Sequence, residues 1–346
     1  MRGTDEARII HNHQLFSENY IPPNIPAREK QIKEIAFFLS TASNSINPIK
    51  VWIYGLPGTG KTSICKFLLN KLEKETNVRG LYVNCWENPT FYTILDKIIR
   101  ELRILGAEKL NTSFKFDRLR SHIKDRPFIL FLDEIDQPSQ KERNSILYNF
   151  SNLTRVGIVA ICNSKYVLYM LDERIRSRLN VQWIEFEPYT ADDIYSILCH
   201  RAEFALTSGS CDEHVLRRIA DLSGQDARVA IQTLKNAAYL AENGIVKSIT
   251  TLHANKGYCS VKGLKKSYLL DKLTVHHRIL YDIIQHKGDV LSGRLWKFYI
   301  KNCAHMNIRP VAARTYSEYL RKLVEAELVR AERASIKGRV RHLSAV

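Results

Sequence analysis

The sequence predicts an α/β domain with a parallel β-sheet in the first half of the chain, then a small helical domain, then a basic domain. Five runs rich in apolar and β-branched residues alternate with helical patterns, which is typical of parallel sheets covered on both faces. After Tyr189 the strand patterns stop and helical periodicity takes over. The excess of Lys and Arg lies in the last quarter of the 346-residue chain.

The α/β domain is predicted to span residues 28–189. A helix is expected from Glu29 to about Thr41. Residues 1–27 are expected to form an irregular N-terminal arm, because the stretch 20–29 contains three prolines. The predicted strands are 49–55, 80–85, 128–134, 156–163 and 181–189.

Beyond Tyr189 the chain is predicted to be mostly helical. Thr190 and Asp193 have the spacing of a capping box, which marks the start of a helix. In the last part of the chain three helical patterns precede two short β-like runs, which is the order of a winged helix, an elaborated helix-turn-helix. The predicted parts are a helical domain at 190–245, a linker rich in Lys, Gly and Ser at 246–267, and a winged-helix domain at 268–346.

The positive charge is concentrated near the C-terminal end. Residues 256–346 carry 19 Lys+Arg against 7 Asp+Glu, which accounts for +12 of the formal net charge of +16. A basic surface attracts polyanions, and binding of DNA then releases counterions. The charge therefore favours DNA or RNA as a partner over a merely solubilising surface.

Several protein classes are disfavoured by what the sequence lacks. None of the seven cysteines forms a C-x-x-C pair, so a zinc ribbon or a redox motif is not expected. His276 with His277, and Cys303 with His305, converge with no other ligand pair, so we expect packing rather than metal binding. No apolar run suits a signal peptide or a membrane span, which predicts a cytoplasmic, nucleoid-associated protein without a membrane partner.

Residues 55–62 read GLPGTGKT and fit the phosphate-loop motif G-x-x-x-x-G-K-[ST]. The motif follows an apolar strand and opens a helix, so backbone N–H groups and the helix N-terminus can bind phosphate. Lys61 is expected to reach the β- and γ-phosphates, and the Thr62 hydroxyl is expected to ligate Mg²⁺. The sequence thus predicts a site for ATP or ADP with Mg²⁺, held also by Pro57, Gly58, Thr59, Gly60 and Ser63.

Polar residues end two further predicted strands. Asp133 can hold Mg²⁺, and the adjacent Glu134 can polarise the attacking water as a general base. Asn163 lies at the carboxyl end of the next strand, where ligands of parallel sheets bind, and is expected to orient water or the γ-phosphate. Arg178 and Arg228 are candidates to stabilise charge on the γ-phosphate, although spacing alone also allows surface salt bridges.

In this order the motifs GLPGTGKT, FLDEID, ICN, DERIRSRL, PYTADDI and GQDAR resemble those of AAA+ ATPases in the initiator and clamp-loader branch. With the upstream YIPPNIPARE and the late winged helix, the chain resembles the archaeal origin-recognition/cell-division-control initiator family over about residues 10–345. The resemblance implies an AAA+ P-loop NTPase fold whose helical domain is a lid. It makes Asn163 sensor 1 and Arg228 sensor 2, and it places Arg28 near the adenine. Tyr189, in PYTADDI, joins the predicted nucleotide-binding residues.

Arg178 matches the arginine finger that reaches the ATP of a neighbouring subunit, with Arg174 as a possible tethering partner. Many archaeal initiators lack an arginine at this SRL position, so here the chain is more similar to eukaryotic origin-recognition subunits and clamp loaders. The presence of Arg178 at this position favours an arginine that acts in trans, on the ATP of another subunit. It leaves open whether the protein is a principal initiator or has a side role.

The third helix of the winged-helix domain and the hairpin after it carry the predicted DNA contacts. Such a helix can enter the major groove and present Arg and Tyr to base edges, while Leu320, Leu323 and Val324 are expected to pack inward. Basic hairpin residues suit phosphate or minor-groove contacts. The predicted DNA-binding residues are Arg314, Thr315, Tyr316, Tyr319, Arg321 and Lys322 in the helix and Lys337, Arg339 and Arg341 in the hairpin.

These features predict an ATP-dependent replication initiator that binds duplex origin DNA and uses ATP binding with slow hydrolysis as a switch. Further possible partners are the replicative helicase and a paralogous AAA+ subunit. The alternatives are a DNA-remodelling motor or clamp-loader-like ATPase, and an ATP-gated DNA-binding regulator. A motor is expected to form closed hexamers with DNA-stimulated turnover, whereas an initiator is expected to turn over slowly as a monomer or small assembly.

Overall fold

The computed structural model describes residues 8–17, 20–41, 48, 50–106, 110–123, 127–326, 328–333 and 341–345. The chain divides into two compact units, Met1–Tyr258 and Cys259–Val346. The first unit contains a parallel sheet with its covering helices and a helical domain. The second unit contains a helix bundle with a small antiparallel sheet.

The sheet of the first unit is parallel throughout and has the strand order β2-β3-β4-β1-β5. All residues of β3 and β4 are buried, as expected for central strands covered on both faces. The strands are β1 (Val51–Gly55), β2 (Arg79–Asn84), β3 (Phe128–Asp133), β4 (Val156–Cys162) and β5 (Gln182–Phe186). The five predicted strands are confirmed, although β5 ends at Phe186 and not at Tyr189.

Helices pack on both faces of this sheet, because side chains alternate between the faces along each strand. Trp52 and Leu130 belong to the apolar core on one face, whereas Ile53 and Phe131 belong to the core on the other. The helices before and between the strands are α1 (Glu29–Thr41), α2 (Lys61–Glu75), α3 (Phe91–Glu101), α4 (Thr112–Ile123), α5 (Gln140–Ser151), α6 (Tyr166–Tyr169) and α7 (Glu173–Leu179).

The lid follows β5 and consists of α8 (Ala191–Ala205), α9 (Glu213–Leu222) and α10 (Ala227–Asn243). The capping box predicted at its start is confirmed. The Thr190 N–H donates to Asp193 Oδ2 at 2.8 Å, and the Asp193 N–H donates to Thr190 Oγ1 at 3.1 Å. These two bonds satisfy backbone donors that the first turn of a helix otherwise leaves unpaired.

The linker predicted at 246–267 is largely helical, because α11 (Thr251–Lys272) begins inside it. Gly257, which suggested a flexible connector, has a packing role. A Cβ at this position would lie 2.9 Å from the Thr233 carbonyl oxygen and 3.0 Å from the Ala237 nitrogen, both on α10. Glycine therefore lets the backbones of α10 and α11 approach closely. This packing explains why a glycine stands inside a helix, where it lowers helix stability.

The N-terminal arm is irregular, as predicted, but it is packed into the lid. A short 3₁₀ helix spans His13–Phe16. Ile9, Ile10, Leu15 and Phe16 are buried within the apolar core of the lid. The arm is therefore part of the lid core and not a separate segment.

The second unit has the predicted order of a winged helix. Its elements are α12 (Val275–Lys287), β6 (Asp289–Leu291), α13 (Ser292–His305), α14 (Ala313–Glu325), β7 (Val329–Arg333) and β8 (Arg341–Ala345). The strands form an antiparallel sheet in the order β6-β8-β7. No described helix combines the length and hydrophobicity that a membrane crossing needs.

The adjacent histidines of α12 make hydrogen bonds within this unit. His276 Nδ1 lies 2.8 Å from the Tyr299 hydroxyl, and His277 Nδ1 lies 2.7 Å from Thr274 Oγ1. Within the described parts of the chain, no group of three or more His, Cys, Asp or Glu residues is arranged to hold a metal ion.

Candidate nucleotide site and nucleic-acid interface

The loop between β1 and α2 has a backbone conformation that favours glycine. Gly58 has φ of +79° and Gly60 has φ of +87°, in the region that L-residues rarely adopt. A Cβ on Gly58 would lie 2.1 Å from Asp226 Oδ1, and a Cβ on Gly60 would lie 2.4 Å from the Tyr189 hydroxyl. Gly58 therefore allows Asp226 of the lid to approach the phosphate loop, and Gly60 allows Tyr189, which directly precedes the lid, to do the same.

Lys61 lies at the start of α2 and is held by oxygen atoms of the site. Its Nζ donates to the carbonyl oxygens of Gly55 at 2.6 Å and Leu56 at 2.8 Å, and to Asn163 Oδ1 at 3.2 Å. The Lys61 pKa is lowered to about 8, mainly by burial and also by the charge of Arg228, while the charge of Asp133 opposes the shift. The ammonium group can exchange these carbonyls for phosphate oxygens, which carry more negative charge.

Asp133 is the buried acceptor at the end of β3. Its Oδ2 accepts from the Thr62 hydroxyl at 2.7 Å and from the Tyr82 hydroxyl at 2.6 Å, and its Oδ1 accepts from the Glu134 N–H at 2.9 Å. A hydroxyl and a carboxylate side by side are hard oxygen donors of the kind that Mg²⁺ prefers. Thr62 and Asp133 therefore fit a magnesium ion bound next to the phosphate loop.

Glu134 turns out of the strand direction immediately after Asp133. Its φ is +54°, a left-handed conformation that costs a non-glycine residue about 1–2 kcal/mol. Its pKa is raised, first by burial and then by the charges of Asp133 and Asp136, while Arg228 opposes the shift. A carboxylate of raised pKa that lines the cavity is suited to accept a proton.

Asn163 lies where β4 ends, as predicted, and joins two parts of the site. Its side-chain oxygen accepts from Lys61, while its backbone N–H and its Nδ2 both donate to Asp136 Oδ2 at 3.3 Å. Asp136 was not among the predicted site residues. It holds the Asn163 amide with its oxygen directed at Lys61.

A cavity of about 530 Å³ joins these groups to the lid and the N-terminal arm. Several of its lining residues were not predicted. Asn84 ends β2, beside β3, so the strand-end rule that identified Asn163 could also have found it, whereas Tyr82 lies two positions earlier in the strand. The predicted residues that line the cavity are Gly58, Thr59, Gly60, Lys61, Thr62, Ser63, Asp133, Glu134, Asn163, Tyr189 and Arg228.

Two predicted nucleotide-binding residues lie outside this lining. Pro57 is exposed. Arg28 is 5% exposed, its guanidinium lies 3.9 Å from the centre of the Tyr189 ring, and its Nη2 donates to the Glu187 carbonyl at 2.6 Å. Arg28 therefore lies behind Tyr189 and supports it, because cation–π stacking fixes the ring that faces the cavity.

Arg178 also lies outside the cavity that the chain forms around its own phosphate loop. It is exposed on α7, donates to the Asn152 side chain and lies 5.7 Å from the centre of the Tyr148 ring. Arg174 is exposed on the same helix. An arginine that acts on the nucleotide of another subunit has to be exposed in this way.

The predicted DNA-binding helix is α14, and its charged residues are exposed. The Arg314 side chain is 94% exposed and lies 3.8 Å from Glu318. Arg321 and Lys322 are exposed, and Thr315 is half-buried. Arg341, at the start of β8, is exposed, with its N–H bonded to Ser292 Oγ at 3.1 Å. Lys337 and Arg339 lie outside the described residues.

The prediction that Tyr316 faces DNA is wrong, because this residue is in the core. It is 8% exposed, and its ring lies 4.7 Å from Trp296 and 5.5 Å from Tyr299. Tyr319 is half-buried against His277, with ring centres 4.0 Å apart. Tyr316 and Tyr319 share the inward face with Leu320, Leu323 and Val324, as helical spacing allows.

The fold and the site together define an AAA+ ATPase with a winged helix. Residues 51–169 match the family described as the AAA domain, and residues 195–258 match the Cdc6 AAA+ ATPase-type lid domain. The lid match continues past the predicted boundary at residue 245 into α11. The chain is thus an ATPase of this class, with a nucleotide-binding site.

Relatives similar along their length identify the family. The ORC1-type DNA replication protein 2 of Thermoplasma acidophilum is 31% identical over 343 residues, covering 92% of this chain and 83% of the relative. The ORC1-type DNA replication protein 1 of Sulfolobus acidocaldarius is 28% identical and covers 92% and 85%. The solved ORC1 protein of Aeropyrum pernix in complex with DNA is 25% identical, with a TM-score of 0.81 and coverage of 98% and 94%. The chain belongs to the family of archaeal ORC1-type DNA replication proteins.

Proposed function

We propose that this protein initiates DNA replication by binding duplex DNA at origins, with ATP binding and slow hydrolysis as the switch between its states. Family membership supports this function, and the relative from Aeropyrum pernix was solved with DNA. The main structural support for DNA binding is a segment of the winged-helix unit that contains basic residues but no acidic ones. Between Asp289 and Glu318 there is no Asp or Glu, while five cations are exposed: Arg294, Lys297, Lys301, Arg309 and Arg314. Such a surface favours phosphate contacts.

In the proposed nucleotide chemistry, the phosphate loop and Lys61 bind the phosphates. Thr62 and Asp133 would hold Mg²⁺, which when bound neutralises charge on the phosphate oxygens. Glu134 accepts a proton from the water that attacks the γ-phosphorus, so that the bond to ADP breaks and phosphate leaves. Asn163 orients this water or the γ-phosphate.

Arg228 links the lid to the state of the nucleotide in this proposal. It follows Asp226, the N-cap of α10, and its charge acts on both Lys61 and Glu134. A guanidinium at this position can contact a γ-phosphate, which ATP has and ADP lacks. Hydrolysis would therefore remove one attraction that holds the lid against the α/β domain.

Two further partners belong to the proposal. The exposed position of Arg178 supports an arginine finger that acts on the ATP of a paralogous AAA+ subunit. The replicative helicase is the second partner, since an initiator acts before the helicase is loaded. Mixing the protein with a paralogous subunit should raise ATP turnover, and Arg178→Ala should abolish the increase. An equal increase with Arg178→Ala would exclude the finger.

The DNA part is tested by fluorescence anisotropy with a duplex from an origin of the source genome and a shuffled duplex of equal length and composition. We expect tighter binding of the origin duplex with ATP than with ADP. Arg314→Ala should weaken binding and reduce the slope of log K against log salt by about one. Lys71→Ala, which removes an exposed cation of α2, is the matched control.

Equal affinity for both duplexes, together with an unchanged salt slope in Arg314→Ala, would contradict the proposal. Mapping of the bound DNA in cells separates the remaining classes. Occupancy confined to origins supports an initiator, whereas occupancy spread over promoters supports a regulator. Closed hexamers with strongly DNA-stimulated turnover would indicate a motor.

A further inference from the structure

The N-terminal arm is hydrogen-bonded to lid residues about two hundred positions away in the sequence. Glu242 Oε1, near the end of α10, accepts from the N–H groups of Ile9 and Ile10, both at 2.8 Å. Ile10 pairs with Leu206 in an antiparallel bridge. The Thr207 N–H donates to the Ile9 carbonyl oxygen at 2.8 Å. The first described residues of the chain are therefore fixed to the C-terminal ends of two lid helices, α8 and α10.

Glu242 is half-buried, whereas the two amides that it binds belong to fully buried residues. Ile9 and Ile10 are 1% and 0% exposed and belong to the core that includes Leu198 and Leu234. Hydrogen bonds to a carboxylate are stronger than those between neutral groups. Without the Glu242 acceptor, two N–H groups next to buried side chains would lose their partner, and leaving buried donors unpaired is costly.

Further along, the same arm forms one wall of the nucleotide cavity. Phe16, Tyr20 and Ile25 line it together with the residues of the phosphate loop. Arg201 of α8 connects the two parts of the arm, because it donates to the Leu15 carbonyl oxygen and its guanidinium lies 4.5 Å from the centre of the Tyr20 ring. An apolar and aromatic wall of this kind suits the base of a nucleotide.

We propose that Glu242 is a positioning residue for the bound nucleotide. By fixing the arm to the lid, it holds the wall against the base and thereby sets how long ADP or ATP stays bound. The inference rests on the nucleotide site of the proposed function but not on its DNA part. Because coupling between two binding events is reciprocal, a bound nucleotide must in turn stabilise the contact between Glu242 and the arm.

The first test measures the dissociation of a fluorescent ADP analogue that is chased with excess ATP in a stopped-flow instrument. Glu242→Ala should release the analogue at least about tenfold faster, since two charge-assisted hydrogen bonds are lost. Glu242→Gln should release it more slowly than Glu242→Ala and faster than the wild type, because its amide oxygen can accept both N–H groups but carries no charge. Glu203→Ala, an exposed glutamate of α8, is the matched control.

Release from Glu242→Ala at the wild-type rate, or equally fast release from Glu242→Gln and Glu242→Ala, would overturn the proposal. A merely structural loss would lower the free energy of unfolding and leave the dissociation rate of the analogue unchanged.

The second test needs no variant and so stands even where Glu242→Ala does not fold. Hydrogen exchange of the amides of Ile9 and Ile10 is followed in the wild-type protein, with and without ADP. We expect exchange to be slower when ADP is bound, because arm and nucleotide stabilise each other. Equal exchange in the two states would show that no such linkage exists. Neither test contains DNA, so failure to bind origins would leave both readouts intact.

Discussion

Gly60 and Tyr189 allow a quantitative test of the closed phosphate loop. In Gly60→Ala the new methyl group would lie 2.4 Å from the Tyr189 hydroxyl, whereas the ring carbons Cζ and Cε2 would lie 3.5 and 3.9 Å away. The clash is therefore with the hydroxyl oxygen alone. In Gly60→Ala/Tyr189→Phe that oxygen is gone, and the remaining distances are ordinary van der Waals contacts.

The magnitude has two parts. An alanine held at φ of +87° costs about 1–2 kcal/mol of backbone strain. Because the loop can relax this strain only when no phosphate is bound, ATP affinity should fall about 5- to 30-fold. The clash adds to this, because Tyr189 has to move away from the loop and from Arg28. Removal of the hydroxyl should abolish the cost of the clash and leave the backbone strain. The double-mutant cycle should therefore give a coupling of about 0.5–3 kcal/mol between the two substitutions.

The assay is calorimetric titration of ATP into the wild type, the two single variants and the double variant. Gly209→Ala is the control for backbone strain, since Gly209 has φ of +75° and no atom within 4 Å of the added Cβ. It should lower the free energy of unfolding but leave ATP affinity unchanged. A double variant that binds ATP no better than Gly60→Ala would refute the inferred contact.

Three further predictions follow from the site and the winged helix. Glu134→Gln should bind ATP normally but hydrolyse it about 10²–10⁴ times more slowly in single-turnover assays; retained hydrolysis would exclude Glu134 as the base. Since the Lys61 pKa is lowered to about 8, ATP affinity should be constant below that pH. Above it, affinity should fall about tenfold per pH unit as the ammonium group is lost; a flat profile in titrations from pH 7 to pH 10 would contradict this. Tyr316→Phe should leave DNA affinity unchanged, because the ring is in the core. Its hydroxyl has no hydrogen-bond partner among the described residues. Urea denaturation of the variant should therefore show equal stability or a gain of up to about 1 kcal/mol. Loss of DNA binding in this variant would show that Tyr316 contacts DNA.

The parts of the nucleotide site that depend on residues adjacent in the sequence could be predicted from the sequence alone. The phosphate loop places Lys61 and Thr62 at the start of α2 because the glycines, the strand and the helix follow each other directly. Asp133 and Asn163 could be placed because the ends of parallel strands meet at one edge of the sheet. In these cases a local pattern and a general rule of sheet geometry were sufficient.

Orientation and distant packing could not be predicted. Arg28 was assigned to the nucleotide, but its contact with Tyr189 depends on how α1 meets the chain after β5. Tyr316 lies on a helix with charged residues on one side and apolar residues on the other. A tyrosine has an apolar ring and a polar hydroxyl, so its residue type did not show which side of the helix it belongs to. Gly257 suggested a linker because the sequence gives no sign that α10 requires a residue without a side chain there.

The attachment of the arm to the lid also affects how the protein is made. Ile9 and Ile10 emerge from the ribosome long before Glu242, which follows Ile10 by 232 positions. At about 5–20 residues per second, the delay is on the order of 10–50 s. During that time the two apolar residues of the arm lack their native partners in the lid. Chaperones that bind short apolar segments therefore have a defined interval in which to act on this chain.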